Sequence, residues 1–317
     1  MGLNIISLAS YVPPHIVTNH DLEGMLDTNH DWIEQRVGVK QRHIATDETT
    51  GDMGAKAASK ALKETGGDGT DIDLILCATV SSDDASPCTA AMIQKHLGLD
   101  CPAMDIAAAC SGFGFLMQTG QAFLQLPQYN KILLVTSEKM SRLVDWTDRS
   151  TAVIFGDGAA ALIIESSDKL TDFKLANWGG DDVIKVPNSP GNSPWYTGEV
   201  HRPYIYMNGQ ETYKFAVQAM VQDVKDILKK HSYTVEDAAM IVPHQANIRI
   251  LRAAARRLGL SEDKVFQNIE RYGNTSASSI PIAFDECVRS GKIKRGDLVV
   301  FTSFGGGLSS AAGIIRY

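Results

Sequence analysis

The chain has 317 residues, enough for two domains of ordinary size or one larger fused unit. Hydrophobic residues make up 44% and charged residues 21%, and the net charge is −7, which argues against general binding of nucleic acid or an anionic membrane. The longest apolar runs, such as Lys131–Thr136 and Leu298–Thr302, fall far short of the ~18 residues a membrane span needs. The opening MGLNIISLAS lacks the basic start of a signal peptide, so a cytoplasmic protein without membrane partners is expected. Five cysteines (Cys77, Cys88, Cys101, Cys110, Cys287), odd in number and without C-x-x-C spacing, predict neither a disulfide framework nor a thiol metal site.

In chain order, helix Gly51–Thr65 precedes strand Asp73–Thr79, and the next helix ends in Leu97-Gly98-Leu99. Ala103–Ala108 reads as a buried strand and Ser111 onward as a buried helix carrying Phe113, Phe115, Leu116 and Met117. Strand Leu133–Ser137 (LLVTS) follows. Gly179–Asn208, rich in Pro, Gly and Asn, breaks the pattern and reads as cover over a site. Then the order repeats: helix Gln210–His231, strand Ala239–Val242, a helix ending in Leu258-Gly259-Leu260, and strand Val299–Ser303 (VVFTS). Alternating strands and helices predict an α/β fold with mainly parallel pairing. The recurrence at nearly constant offset predicts a duplication, with halves 1–165 and 166–317 and a cleft between them.

Three residues in that frame carry chemistry. Cys110 falls at a strand-to-helix turn, where the helix N-terminus favours thiolate and apolar burial opposes it. His244 follows a strand at its C-terminal end, where α/β active sites gather. Asn274 lies in RYGNTSASS. Taken alone, each has a plainer reading: a buried inert thiol, a packing histidine, a turn or cap asparagine. The repeat places Cys110 and Asn274 at equivalent positions of the two halves, so the three are expected to converge on one cleft. Asp157 and Gly158 in FGDGAAA match no phosphate-loop pattern and read as a structural turn. A papain-like Cys-His-Asn hydrolase is disfavoured, because the sequence context of its cysteine is absent here.

The segments DIAAACSGF, VPHQANIRI, GNTSASS, TDRSTAVIFGDGAAA and FGGG resemble, in order and spacing, the signature segments of type III β-ketoacyl-acyl-carrier-protein synthases. The resemblance runs from Trp32 to the C-terminus. It implies a thiolase-like fold, two pseudo-duplicated α/β halves in a layered αβαβα arrangement. It implies an acyltransferase that condenses an acyl-CoA primer with malonyl-acyl carrier protein and so initiates fatty acid synthesis. A starter or acyl-transfer enzyme of secondary metabolism using a longer primer is the alternative.

The same resemblance implies the site. Cys110 is the nucleophile, His244 and Asn274 serve decarboxylation, and the N–H groups of Cys110 and Gly306 form an oxyanion hole. Phe304 is the gate beside them. Trp32 and Arg149 hold the adenine of CoA between them; Arg36, Gly209 and Asn247 complete the CoA path. Gln210 and Tyr213 depart from the Asn and Phe of well-known members. The helix read over Ala246–Leu258 puts Ile248, Leu251, Ala255 and Leu258 on one face and Arg249, Arg252 and Arg256 on another, where carrier protein docks. Ser86 and Cys88, supplied by the partner of a homodimer, line the primer pocket. No cofactor is permanently bound and no metal is expected; acyl-CoA is a substrate.

Overall fold

The computed structural model describes residues 2–188, 193–199 and 202–317, so part of the Gly179–Asn208 stretch lies outside the described residues. Two sheets organise the chain. The first takes strands β1 (Gly2–Tyr11), β2 (Leu74–Ala78), β3 (Ala103–Ile106), β4 (Lys131–Lys139) and β5 (Asp157–Ser167) in the order β1-β5-β4-β2-β3. The second takes β6 (Thr171–Asn177), β7 (Met240–Pro243), β8 (Leu298–Gly305) and β9 (Ser309–Arg316) in the order β7-β8-β9-β6. β2 runs parallel to β4 as β7 does to β8, β3 adds a further parallel pair on β2, and the pairs on the far side of β4 and β8 are antiparallel.

The expected predominance of parallel pairs is therefore wrong. β8 returns as β9 through the short turn 306–308, and β4 returns as β5 through residues 140–156, which hold a 3₁₀ turn and the four-residue helix Arg149–Ala152; both returns are antiparallel.

Strand alternation explains the layers. Leu74, Leu76 and Ala78 of β2 and Ile132 and Leu134 of β4 face a central core. Their alternates Ile75, Cys77, Leu133 and Val135 face outward onto α2 (Thr50–Thr65) and α3 (Thr89–Leu97), which follows α1 (His30–Arg36) and α2 in the chain. The central layer holds α4 (Gly112–Phe123), and the outer cover of the second sheet holds α5 (Gly209–Lys230) and α6 (Ile248–Leu258). The last helix, α7 (Ser279–Arg289), joins α4 between the sheets, where Phe113 and Phe284 meet Phe301 edge-on at 5.4 and 5.1 Å. Both Leu-Gly-Leu segments end a helix in the same way. Gly98 and Gly259 adopt φ of 67° and 74°, left-handed caps for which glycine is the default residue.

Two element boundaries differ from expectation, and both matter to the site. The strand read over Ala103–Ala108 leaves the ladder after Ile106 and enters a tight 3₁₀ turn, Ala109–Ser111, ahead of α4. Helix α6 starts at Ile248 rather than Ala246, because Asn247 takes the N-cap and accepts the Arg249 N–H at 2.8 Å. Among the described residues no helix is long and apolar enough to cross a membrane.

Candidate active site

The 3₁₀ turns Ala109–Ser111 and Ser276–Ser278 precede the two central helices α4 and α7 and touch each other. Each contains a non-glycine residue in the left-handed region, Ala109 at φ 47° and Ser276 at φ 49°. Such conformations cost on the order of 1–3 kcal/mol and persist only where surrounding structure enforces them. Here they bring Cys110 and Asn274 to one place. With His244, directly after β7, both line a cavity of about 660 Å³.

The two polar residues present hydrogen-bond donors. Asn274 Oδ1 accepts the Ser276 N–H at 2.8 Å, which fixes the amide so that its NH₂ is the end left for a ligand. His244 Nδ1 lies 2.6 Å from Ser279 Oγ, the first residue of α7. The Gln245 N–H donates to that same hydroxyl at 3.3 Å, which favours the arrangement with the serine proton on the Nδ1 side and the ring proton on Nε2. Burial pushes the His244 pKa down to about 3, so the ring is neutral at pH 7. Phe304, buried on β8, meets the imidazole edge-on at 5.4 Å.

Of the two opposing influences on Cys110, burial prevails. Burial pushes its thiol up to about 11, and the Ser276 hydroxyl, 3.5 Å from Sγ, offsets only part of this. Cys110 lies within the 3₁₀ turn that precedes α4, and desolvation of its thiol outweighs the helix N-terminus.

Gly305 and Phe304 at the end of β8 also line the cavity. A Cβ at Gly305 would fall 2.8 Å from the Cys110 backbone nitrogen and 3.2 Å from that of Ser111. Gly305 thus does the close-approach work that sequence reasoning spread over the triple glycine. Gly306 follows it in the turn to β9 and accepts from Ser309 Oγ at 3.0 Å.

Trp32, Arg36, Gly209, Gln210, Tyr213 and Asn247 line the outer cavity. Asn247 also spends its amide on structure, donating to the Arg36 carbonyl at 3.1 Å. Arg149 is not arranged as half of an open clamp. Its guanidinium rests on the Trp32 ring at 5.0 Å and donates to the Asp27 carbonyl at 2.6 Å, leaving no room for a base between them. Arg249, Arg252 and Arg256 are exposed on α6 opposite buried Ile248, Leu251, Ala255 and Leu258, and Arg249 reaches the cavity rim. Arg252 lies 3.7 Å from Glu262. Ser86 and Cys88 do not line the cavity of their own chain: Ser86 is exposed, and Cys88 caps α3 with its thiol 3.8 Å from the Ala103 carbonyl. They sit beside β3, the edge strand of the first sheet.

Sequence reasoning missed Ser276, Ser279, Gln245 and Glu138, the supports of the three reactive residues. It also missed Ile184, Ile205 and Met207, which cover the cavity from the irregular stretch. Asp157, read as part of a turn, is fully buried and accepts from the N–H groups of Ala45 and Ser141, both at 2.8 Å.

A half-buried Cys, a neutral His and an Asn, meeting in one cavity of this layered α/β fold, define a thiolase-fold condensing enzyme. The comparisons sharpen that class. Residues 104–179 match the 3-oxoacyl-[acyl-carrier-protein] synthase III family and residues 228–317 its C-terminal domain family. The chain is 43% identical, over all of its length and 99% of the relative, to a protein of Bacillus anthracis named β-ketoacyl-[acyl-carrier-protein] synthase III 1. It is 44% identical, with the same coverage, to a Geobacillus kaustophilus protein named β-ketoacyl-[acyl-carrier-protein] synthase III. The crystal structure of 3-oxoacyl-[acyl-carrier-protein] synthase III from Aquifex aeolicus superposes with a TM-score of 0.93 at 38% identity, covering 100% of both chains. The chain belongs to the β-ketoacyl-[acyl-carrier-protein] synthase III family. It is an acyltransferase of fatty acid synthesis that carries out a condensation.

Proposed function

We propose that the chain joins an acyl-CoA primer to malonyl-acyl carrier protein by decarboxylative Claisen condensation. Cys110 takes the acyl group from CoA as a thioester. Malonyl-acyl carrier protein then enters and loses carbon dioxide. Negative charge develops on its thioester oxygen, where His244 Nε2–H and the Asn274 amide donate. The resulting carbanion forms a carbon–carbon bond to the acyl-Cys110 carbonyl, whose oxyanion is held by the N–H groups of Cys110 and Gly306, and the intermediate collapses as the carbon–sulfur bond breaks and Cys110 leaves as thiolate. The observation that carries this reading is the pair of fixed donors, each with its other polar atom already engaged, in the cavity that contains Cys110. Donors of this kind contribute about 2.7–4 kcal/mol each to the transition state. The test is a two-step turnover. Acyl-CoA should add its acyl mass to Cys110, and malonyl-acyl carrier protein should then discharge it with release of carbon dioxide. An adduct on another residue ends the proposal.

CoA enters past Trp32, Arg36, Gly209 and Asn247, and Arg149 swings off the indole to admit the adenine. Carrier protein, which is acidic, docks on Arg249, Arg252 and Arg256 and is steered by charge. Arg249→Glu is expected to raise KM for malonyl-acyl carrier protein about tenfold or more while changing KM for acyl-CoA little. Added salt should shrink the wild-type advantage. Equal changes for both substrates would place Arg249 outside the docking surface.

The enzyme works as a cytoplasmic homodimer joined through its N-terminal halves. Support comes from the edge strand β3, whose Met104 is 38% exposed. Two halves, 1–165 and 166–317, descend from one duplicated unit; the matching strand orders of the two sheets support this. Ser86 and Cys88 of one subunit close the primer pocket of the other. Ser86 is small, so the pocket takes primers longer than acetyl, each further buried methylene contributing about 0.8 kcal/mol. The kcat/KM ratio of octanoyl-CoA over acetyl-CoA is expected to exceed one in wild type and to fall at least about tenfold in Ser86→Phe. An unchanged ratio removes Ser86 from the pocket.

A further inference from the structure

Glu138, on β4, is fully buried, and no residue of the proposed mechanism uses it. Its Oε2 is crowded: it accepts from Ser81 Oγ at 2.7 Å, Thr79 Oγ1 at 3.1 Å and the Val80 N–H at 3.1 Å. Oε1 is less crowded and accepts the long bond from the Ala277 N–H at 3.4 Å. The Ser276 hydroxyl also lies close enough to this carboxylate to draw its pKa down. Among the described residues no Lys, Arg or His pairs with Glu138. Its titratable neighbours are Cys110 and Cys77 of β2, and Gly158 stands opposite it on β5.

Ser276 therefore touches both ends of a path. Its hydroxyl lies 3.5 Å from Cys110 Sγ, it acts on the Glu138 carboxyl, and the N–H of the next residue, Ala277, donates to Glu138 Oε1 at 3.4 Å. It is itself fully buried, at the strained φ of 49°. A hydroxyl has one proton and two lone pairs, so it can take a proton from one neighbour while giving its own to the other.

We propose that Glu138 accepts the proton of Cys110 through the Ser276 hydroxyl, and so acts as the base for the acylation step. This rests on the assignment of Cys110 as the nucleophile. The thiol proton passes to Ser276 Oγ as the serine proton passes to Glu138. The net result is a Cys110 thiolate, an unchanged serine and a neutral carboxylic acid. The thiolate forms a carbon–sulfur bond to the acyl carbonyl, and the bond to the CoA sulfur breaks with its electron pair. The proton on Glu138 returns along the same hydroxyl to the departing sulfur.

The alternative base fails on its own chemistry. His244 has its pKa pushed down to about 3 by burial, so its ring is a poor acceptor for a thiol proton. Burial raises the carboxyl of Glu138 instead, which makes it the stronger base. An ionised Glu138 also holds the Cys110 thiol up, so one negative charge is shared between the two.

The test turns on sign. Were Glu138 only a nearby charge, Glu138→Gln would remove a repulsion, favour the thiolate and speed acylation. The relay requires the opposite: acylation by acyl-CoA at pH 7 slows about a hundredfold and recovers as pH rises. Ser276→Ala should slow it to a similar extent, and the double variant should be no slower than the slower single. Acylation is read by intact mass at millisecond-to-second times, with circular dichroism and Tm to verify folding. A folded Glu138→Gln enzyme that acylates Cys110 as fast as wild type overturns the relay. If that variant fails to fold, Ser276→Ala decides alone, and a wild-type rate there overturns it equally. An adduct found elsewhere than on Cys110 would instead defeat the parent assignment.

Discussion

His244→Ala and Asn274→Ala are each expected to lower decarboxylation of malonyl-acyl carrier protein by about 10²–10³-fold while Cys110 still acylates. Cys110→Ala should give no acyl-enzyme at all. The division follows from the bonds. Asn274 Oδ1 is fixed by the Ser276 N–H, and His244 Nδ1 by Ser279, so the remaining N–H groups can only donate, and both act on developing negative charge. Carbon dioxide release and intact mass after acyl-CoA treatment separate the two half-reactions. Loss of acylation in both single variants would refute the division of labour. A pH expectation accompanies this. The folded-state pKa of His244, about 3, lies below its unfolded value near 6.5. The donor is therefore already neutral at pH 7, and decarboxylation should not decline between pH 8 and 5 through protonation of this ring. Stability behaves differently: the unfolded chain binds the extra proton first, so this group's contribution is complete above about pH 6.5 and is lost as pH falls toward 3.

Much of this site could be read before the structure. Repeated strand–helix order placed Cys110 and Asn274 at matching turns, and periodicity put Arg249, Arg252 and Arg256 on one exposed face of α6. What escaped had no local signature. Glu138 sits in a strand whose other residues look like plain core, and only the fold brings Ser81, Ala277 and Ser276 around it. Ser279 becomes the partner of His244 because α7 starts beneath the end of β7, a contact 35 positions apart in sequence. The antiparallel returns of β5 and β9 were misread because hydrophobic alternation marks a strand without giving its direction. The rise in the Cys110 pKa depends on how much water the cavity walls exclude, and these walls come from α1, α5, α6, the end of β8 and the irregular stretch.

Gly305→Ala is expected to cut the rate of Cys110 acylation about a hundredfold in a protein that still folds. At this position the missing side chain matters more than backbone freedom, because Gly305 ends a regular strand. A Cβ added there would lie 2.8 Å from the Cys110 nitrogen, closer than real Cβ contacts come. The atoms in the way are backbone, Cys110 N and Ser111 N, with the Ala109 Cβ at 3.3 Å, so no side-chain rotation relieves the clash. The 3₁₀ turn Ala109–Ser111 must shift, and it carries both the proposed nucleophile and one of the two N–H groups proposed to hold the thioester oxyanion. A displacement well under 1 Å spoils the alignment of that donor, whereas the cores around β8 lose nothing. Decarboxylation, which depends on His244 and Asn274, should suffer much less than acylation. Single-turnover acylation measured beside carbon dioxide release reads the contrast. Equal losses in both reactions would point to general disorder of the cavity rather than to a misplaced oxyanion hole, and a wild-type acylation rate would show that the turn tolerates the methyl group.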